Sequence, residues 1–559
     1  MPRLPGRLLM MEQLVAAGVR HVFGNPGTTE QAFMDALHDY PQVQYVLGLQ
    51  EAAVLGMADG YSRLSPVPAF VELHIAPGLG NAMGMLYNAW RTHAPMVIYA
   101  GQHSQRGLLQ EPILAGDLVS MARPLTKWAV EVQDAADLPL VLRRAFKAAM
   151  DPPRGPVLVS VPANIMDEEA EADVLAPVYL RQRARPEREA LEVAAEMLAR
   201  AEAPVIIAGD EVATAGAREE VERLAEMLGA RLYASYGVYV PLATDHPCYA
   251  GPLNVLSGPG LRGQLAGADM VLAVGAPLFL TVSPVTENPL PAGCRLVHIG
   301  LDAWELGKNW PADLLLLADP GEALRELRAL LEGRLTPAQR EAAAARLAAA
   351  QGQRMAIFQA LDGALRARWG DEPMAASRFA YELGQALHPD TVLFDESVTA
   401  GGHLMRHLRL RPGSHLRAAG GGLGAGIPAP IGLKLARPDR PVLGVVGDGA
   451  ALYTVQALWT AAHYRVPVTW VIANNRSYRI LKLNLLQYLG EGASDRGFIA
   501  MDLVEPELDF ARIAEAFGVR GVRIERADEL GPAVRQAQEA QEPWLIDVVI
   551  DGSLKGGFL

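Results

Sequence analysis

Asp448 and Asn475 are the residues whose types and spacing say most about chemistry. An apolar run leads into Val445-Val446-Gly447-Asp448-Gly449-Ala450, a helix-like run of roughly Leu452 to His463 follows, and a second apolar run, Val468–Ala473, ends in Asn474-Asn475. Asp448 and Asn475 stand 27 residues apart, about the length of one βαβ unit. Both then fall at carboxyl ends of neighbouring parallel strands, the edge at which open α/β sheets bind ligands. A carboxylate and a carboxamide are hard oxygen ligands suited to Mg²⁺ or Ca²⁺, and magnesium completes its octahedron with phosphate oxygens and water. The glycines beside Asp448 let the backbone approach a phosphate, and the helix that follows turns its N–H groups towards that anion. Either half alone reads as an ordinary turn or strand end. Together, at this spacing, they read as a site for a metal-bridged phosphate.

Two titratable residues stand out in the first third. Glu51, in Gly48-Leu49-Gln50-Glu51-Ala52-Ala53-Val54, opens a helix directly after a strand. A first-turn glutamate normally faces water and favours the helix dipole. This one sits in a nearly all-apolar stretch, where a buried carboxylate needs a partner. His74 closes the run Ala69–His74 and precedes a glycine-rich segment read as a turn, with a helix from Gly84 to Thr92. An imidazole titrates near working pH, which suits an acid/base; the plainer reading is a histidine satisfied by backbone bonds.

The elements that must position these residues form three α/β blocks. Strand-like runs alternate with helix-like ones, which implies parallel sheets covered by helices. The expected fold class is α/β, with three doubly wound parallel-sheet domains: residues 1–164, 188–335 and 375–559. Residues 165–187, rich in charge, Pro and Arg, read as a linker. Residues 336–374, rich in Ala, Arg, Glu and Gln, read as a helical connector. The 559 residues carry 50 basic and 63 acidic side chains, a formal charge of −13. With no long basic run, this argues against a nucleic-acid binder. Two cysteines, Cys248 and Cys294, make neither a disulfide framework nor a zinc cluster. No run approaches a membrane span, and the N-terminal apolar run is too short for a signal peptide. A cytoplasmic protein is expected.

Gly-Asp-Gly followed by Asn-Asn at this distance resembles the signature of thiamine-diphosphate enzymes. Within them the chain resembles the 2-oxo-acid decarboxylases and acetolactate synthases, above all the benzoylformate decarboxylases. The segments Phe23–Glu30, Leu73–Gly84, Arg123–Trp128 and Ala457–Ala462 carry that likeness over nearly the whole chain. The resemblance implies a thiamine-diphosphate-binding fold, with a pyrimidine-binding domain at residues 1–164, a central domain at 188–335 and a diphosphate-binding domain at 375–559. It implies metal ligation by Asp448, Asn475 and the backbone carbonyl of Ser477, and cofactor contacts from Pro26, Gly27, Thr399, Gly421, Leu423, Gly447, Gly449, Ala450 and Tyr478. Leu423 matches the bulky residue that props the cofactor into its bent form, and the Gly421 carbonyl would hold the 4′-amino group. Glu51 would hydrogen-bond the aminopyrimidine ring and so activate the thiazolium carbon. His74, which acetolactate synthases usually lack, would handle protons, and Thr28 would meet a substrate carboxylate.

The departures from that pattern concern the substrate. Val282 stands where the decarboxylase has a second histidine, Ile480 where a small alanine is expected, and Asn484 where a phenylalanine is expected. A branched side chain and a lost aromatic ring argue against a snug phenyl pocket. The resemblance implies decarboxylation of a small-molecule 2-oxo acid to an aldehyde and CO₂, with carboligation as the alternative main reaction. It implies Mg (or Ca in its place) with thiamine diphosphate. No FAD, nucleic acid or membrane partner is expected. Because Glu51 and the diphosphate motif lie in different domains that the family joins across subunits, a homodimer is the least functional unit and a homotetramer is expected.

Overall fold

The computed structural model describes residues 3–180, 183–255, 257–281, 285–409, 413–490 and 497–554. Val282 lies outside the described residues. The chain divides into two compact units, one of residues 1–180, 370–408 and 418–559, the other of residues 181–369 and 409–417.

The first sheet is built from β1 (His21–Asn25), β2 (Gln44–Leu47), β3 (Ala69–Leu73), β4 (Met96–Gln102), β5 (Trp128–Glu131) and β6 (Pro156–Pro162), in the order β2-β1-β3-β4-β6-β5. Every pairing is parallel. The inner strands β3, β4 and β6 are buried at every position, while the edge strands β2 and β5 are only half-buried. Helices on both faces explain the continuous apolar runs of the inner strands. Helix α1 (Glu51–Leu64) follows β2, and the Gln50 side chain caps it by accepting from the N–H groups of Ala52 and Ala53.

Helix α2 (Ile75–Arg91) departs from the sequence reading. It starts immediately after His74, through the glycine-rich segment read as a turn. Pro77 falls in the first turn, where its missing N–H costs no intrahelical bond. A Cβ on Gly78 would come within 3.2 Å of the Glu51 carboxylate, so packing rather than helix propensity decides this segment.

The central sheet, within the second unit, has strands β7 (Pro204–Ala208), β8 (Arg231–Ala234), β9 (Tyr249–Pro252), β10 (Met270–Val274), β11 (Arg295–Gly300) and β12 (Leu314–Leu317). Their order is β9-β8-β7-β10-β11-β12. The chain winds outwards in both directions from β7 and β10, the doubly wound topology. A helix over Pro337–Ala367 follows, opened by a reciprocal capping box between Thr336 and Gln339.

Five strands of the third sheet lie in the first unit, β13 (Val392–Glu396), β14 (Val442–Gly447), β15 (Val468–Asn474), β16 (Arg520–Ile524) and β17 (Trp544–Val549), ordered β13-β14-β15-β17-β16 with every pairing among them parallel. Helix α3 (Pro428–Ala436) packs tightly on α1: a Cβ on Gly60 would lie 2.1 Å from the Ala429 carbonyl oxygen, and one on Gly432 would lie 1.8 Å from that of Met57. The single helix read between β14 and β15 is two, Asp448–Ala451 and Ala457–His463, separated by a turn. No described helix is long and apolar enough to cross a membrane.

Candidate active site

Strand β14 delivers Asp448 and strand β15 delivers Asn475, each just past its carboxyl end. The structure brings them together on one donor. The Ser477 N–H lies 3.3 Å from Asp448 Oδ2 and 3.0 Å from Asn475 Oδ1, while Gly449 N–H donates to Asp448 Oδ1 at 2.8 Å. Asn474 points the other way, into the core, where its Nδ2 donates to Asp547 at 2.9 Å. The Ser477 hydroxyl donates to the Met501 carbonyl at 2.9 Å. Burial raises the Asp448 carboxyl to about 6, against the pull of N–H groups from Gly449, Arg476 and Ser477. A desolvated carboxylate gains from a cation beside it, and one carboxylate, one carboxamide and a carbonyl make a hard-oxygen set. These residues fit a magnesium ion that takes its remaining ligands from phosphate.

Of the other expected cofactor contacts, Ala450 is buried, Gly447, Thr399, Tyr478 and Leu423 are half-buried, and Gly421 is exposed. Gly421 has a φ of 103°, a conformation glycine adopts without strain. Gly449 lies so close to Tyr478 that a Cβ would come within 2.5 Å of its ring.

In the first sheet, Glu51 is 7% exposed and accepts from Asn81 Nδ2 at 3.0 Å. This is the partner its burial requires. His74 is held by a side chain rather than by backbone: its Nδ1 lies 2.8 Å from Glu30 Oε2. Glu30 is fully buried and also accepts from the Gly27 N–H at 3.0 Å and the Thr29 hydroxyl at 2.6 Å. With Nδ1 turned to Glu30, the ring's Nε2 is left for other partners. The imidazole lies against Gly27, where a Cβ would meet Nδ1 at 2.0 Å. Pro26 and Thr28 are exposed beside it.

Beneath this pair lies a second buried acid. Glu72, on β3, accepts from the Tyr45 hydroxyl, and burial pushes its carboxyl up to about 8, helped by the charges of Glu30 and Glu51. Gly24 makes room for the contact, since a Cβ there would meet both side chains.

Three non-glycine residues with positive φ adjoin these positions: Ile75 (41°) after His74, Val398 (46°) before Thr399, and Arg476 (57°) between Asn475 and Ser477. For β-branched Ile75 and Val398 this is strain, which persists where the surroundings over-determine the backbone. Ile480 and Asn484, four apart on helix α4 (Arg479–Leu489), are half-buried and exposed respectively. Sequence reasoning missed Glu30 and Asn81. Each lies in a segment already singled out, but its partner is 44 or 30 residues away, and no spacing rule reaches that far.

Comparison with known proteins bears on all three sheets. The chain matches the models of the thiamine pyrophosphate enzyme N-terminal TPP binding domain (residues 6–121), central domain (191–327) and C-terminal TPP binding domain (399–548). It is 36% identical over 540 residues to benzoylformate decarboxylase from Pseudomonas aeruginosa, covering 95% of this chain and 96% of that one. It is 26% identical to the acetolactate synthase large subunit of Haemophilus influenzae, covering 99% and 96%. Among solved structures, the thiamine diphosphate-dependent 4-hydroxybenzoylformate decarboxylase of Rhodococcus jostii RHA1 superposes with a TM-score of 0.84 at 32% identity, covering 98% and 99%.

Proposed function

Since the chain belongs to the thiamine pyrophosphate enzymes, in the branch of the decarboxylases and acetolactate synthases, we propose that it converts a small 2-oxo acid to an aldehyde and CO₂ with thiamine diphosphate and Mg²⁺. The observation that carries this reading is the His74–Glu30 pair at the carboxyl end of β3, on the strand that leads to α2 and its Glu51 partner Asn81. It supplies an oriented acid/base beside the glutamate that the family uses on its cofactor.

Bound there, thiamine diphosphate supplies a carbon nucleophile for the keto carbon and takes up the electrons that CO₂ leaves behind. The chain's own residues do the rest. Asp448, Asn475 and the Ser477 carbonyl hold the metal. Gly447, Gly449, Ala450 and Thr399 would hold the diphosphate, and Gly421, Leu423, Tyr478, Pro26 and Gly27 would hold the rings. Glu51 holds a proton at the aminopyrimidine nitrogen. Thr28 offers a hydroxyl to the substrate carboxylate, and His74 is the acid/base that gives a proton to the carbon CO₂ has left and takes one from the hydroxyl as the aldehyde departs. Ile480 and Asn484 line the tail pocket and favour a substrate other than an unsubstituted phenyl 2-oxo acid. The domain limits stated above, a cytoplasmic location, a homodimer as the working unit and a homotetramer complete the proposal. The proposal includes no flavin in the central domain.

Carboligation is the second reading, favoured by Val282 in place of a second histidine, because slow proton delivery gives another carbonyl compound time to be captured. Incubation with thiamine diphosphate, Mg²⁺ and either benzoylformate or pyruvate, with CO₂ and products measured, separates the two. Aldehyde as the main product supports decarboxylation; acetolactate from pyruvate supports carboligation. No CO₂ from any 2-oxo acid by cofactor-loaded protein would sink both.

A further inference from the structure

The glycine loop Gly420–Gly426 carries Gly421 and Leu423, and it is held from both sides by residues that neither the sequence motifs nor the family resemblance singled out. On one side Asn88, from the last turns of α2, makes a reciprocal pair with Gly422: its Nδ2 donates to the Gly422 carbonyl at 2.8 Å, and the Gly422 N–H donates to its Oδ1 at 2.8 Å. The fit is tight, since a Cβ on Gly420 would lie 2.3 Å from Asn88 Oδ1. On the other side Glu396, at the carboxyl end of β13, accepts three backbone N–H groups. Gly424 and Ala425 donate to its Oε1 at 3.0 and 3.1 Å, and Gly426 donates to its Oε2 at 2.7 Å. Glu396 is 4% exposed and Asn88 6%. A buried carboxylate is costly to keep unless its oxygens are satisfied, and here the loop's own amides satisfy them.

We propose that Asn88 and Glu396 are positioning residues, a two-sided clamp that presets the Gly420–Gly426 loop, so that the Gly421 carbonyl and the Leu423 side chain stand ready before the cofactor binds. Leu423 lies between the two anchored stretches and inherits its position from both. Five glycines in seven residues would otherwise leave this loop among the most mobile in the chain. Preordering moves the entropy cost of fixing the loop from binding to folding. The inference rests on the thiamine-diphosphate reading of the site.

The test uses the full chain with Mg²⁺ and thiamine diphosphate, in wild type, Asn88→Ala and Glu396→Gln. Glu396→Gln keeps the acceptor for Gly424 and Ala425 but turns an NH₂ towards the Gly426 N–H. Cofactor affinity, read by quenching of tryptophan fluorescence, is expected to weaken about tenfold or more in each variant. Turnover should fall while KM for the 2-oxo acid stays within about twofold, because the clamp acts on the cofactor through the loop and not on the substrate. Folded variants with wild-type affinity and turnover overturn the clamp. A variant that fails to fold is replaced by hydrogen exchange on cofactor-free wild type. Protected amides at Gly422, Gly424, Ala425 and Gly426 support the clamp, and exchange at free-peptide rates overturns it. Wild type that binds no thiamine diphosphate instead removes the functional reading beneath it, and the exchange data still report on the loop.

Discussion

His74 and Glu51 look alike in sequence, each a lone titratable residue in apolar surroundings, yet the structure gives them different supports. His74 leans on a fully buried carboxylate, Glu30, and Glu51 on a neutral amide, Asn81. Glu51→Gln keeps the size and the Asn81 contact but cannot give up a proton. Its turnover is expected to fall about 10²–10⁴-fold, with metal-dependent cofactor binding intact by fluorescence titration. Glu30→Gln weakens the hold on the imidazole, so turnover should drop about ten- to hundredfold and the pH profile of kcat should move; an unchanged profile would separate Glu30 from His74. Glu72 bears on stability. Its carboxyl rises from the ordinary 4.5 to about 8 on folding, so the folded state holds that proton more tightly. The resulting stabilisation is full below about 4.5 and is lost as pH rises through 8. Glu72→Gln, which cannot titrate, should flatten the fall in melting temperature between those limits.

At the scale of elements, α1 and α3 approach so closely that only glycine fits between them. Gly60→Ala should cost about 1–3 kcal/mol, since its Cβ would press on the Ala429 carbonyl. By contrast Gly352, inside the helix Pro337–Ala367, has nothing within 4 Å of the added carbon. Gly352→Ala should stabilise by about 0.5–1 kcal/mol. Denaturant unfolding of the two variants checks both signs. The same close packing explains why α2 was only half legible. The sequence offers Gly78 and Gly80, which read as a turn, whereas the fold uses them inside a helix whose first turn must pass Glu51. Strands were legible where burial is complete: the apolar run Val468–Ala473 lies within the fully buried strand Val468–Asn474. The edge strand Trp128–Glu131, half-buried throughout, lacks the unbroken apolar run that marks a strand covered on both faces.

For the whole molecule, the decisive question is whether Glu51 and Asp448 serve one site from two chains. Inactive Glu51→Gln and Asp448→Ala proteins, unfolded together and refolded as a mixture, then recover about a quarter of wild-type activity, because half the dimers are mixed and each mixed dimer keeps one intact site. No recovery would place both residues in the same chain's site. What the sequence by itself determined is local: Gly-Asp-Gly, the strand that feeds it and the Asn-Asn that answers it one βαβ unit later, since strand ends and their ligands follow from short-range pattern. Only the tertiary structure decided which carboxylate holds His74, which amide holds Glu51, and that Asn88 and Glu396 grip the glycine loop from opposite sides. Those contacts join residues tens to hundreds of positions apart, where no periodicity survives and only packing brings the partners together.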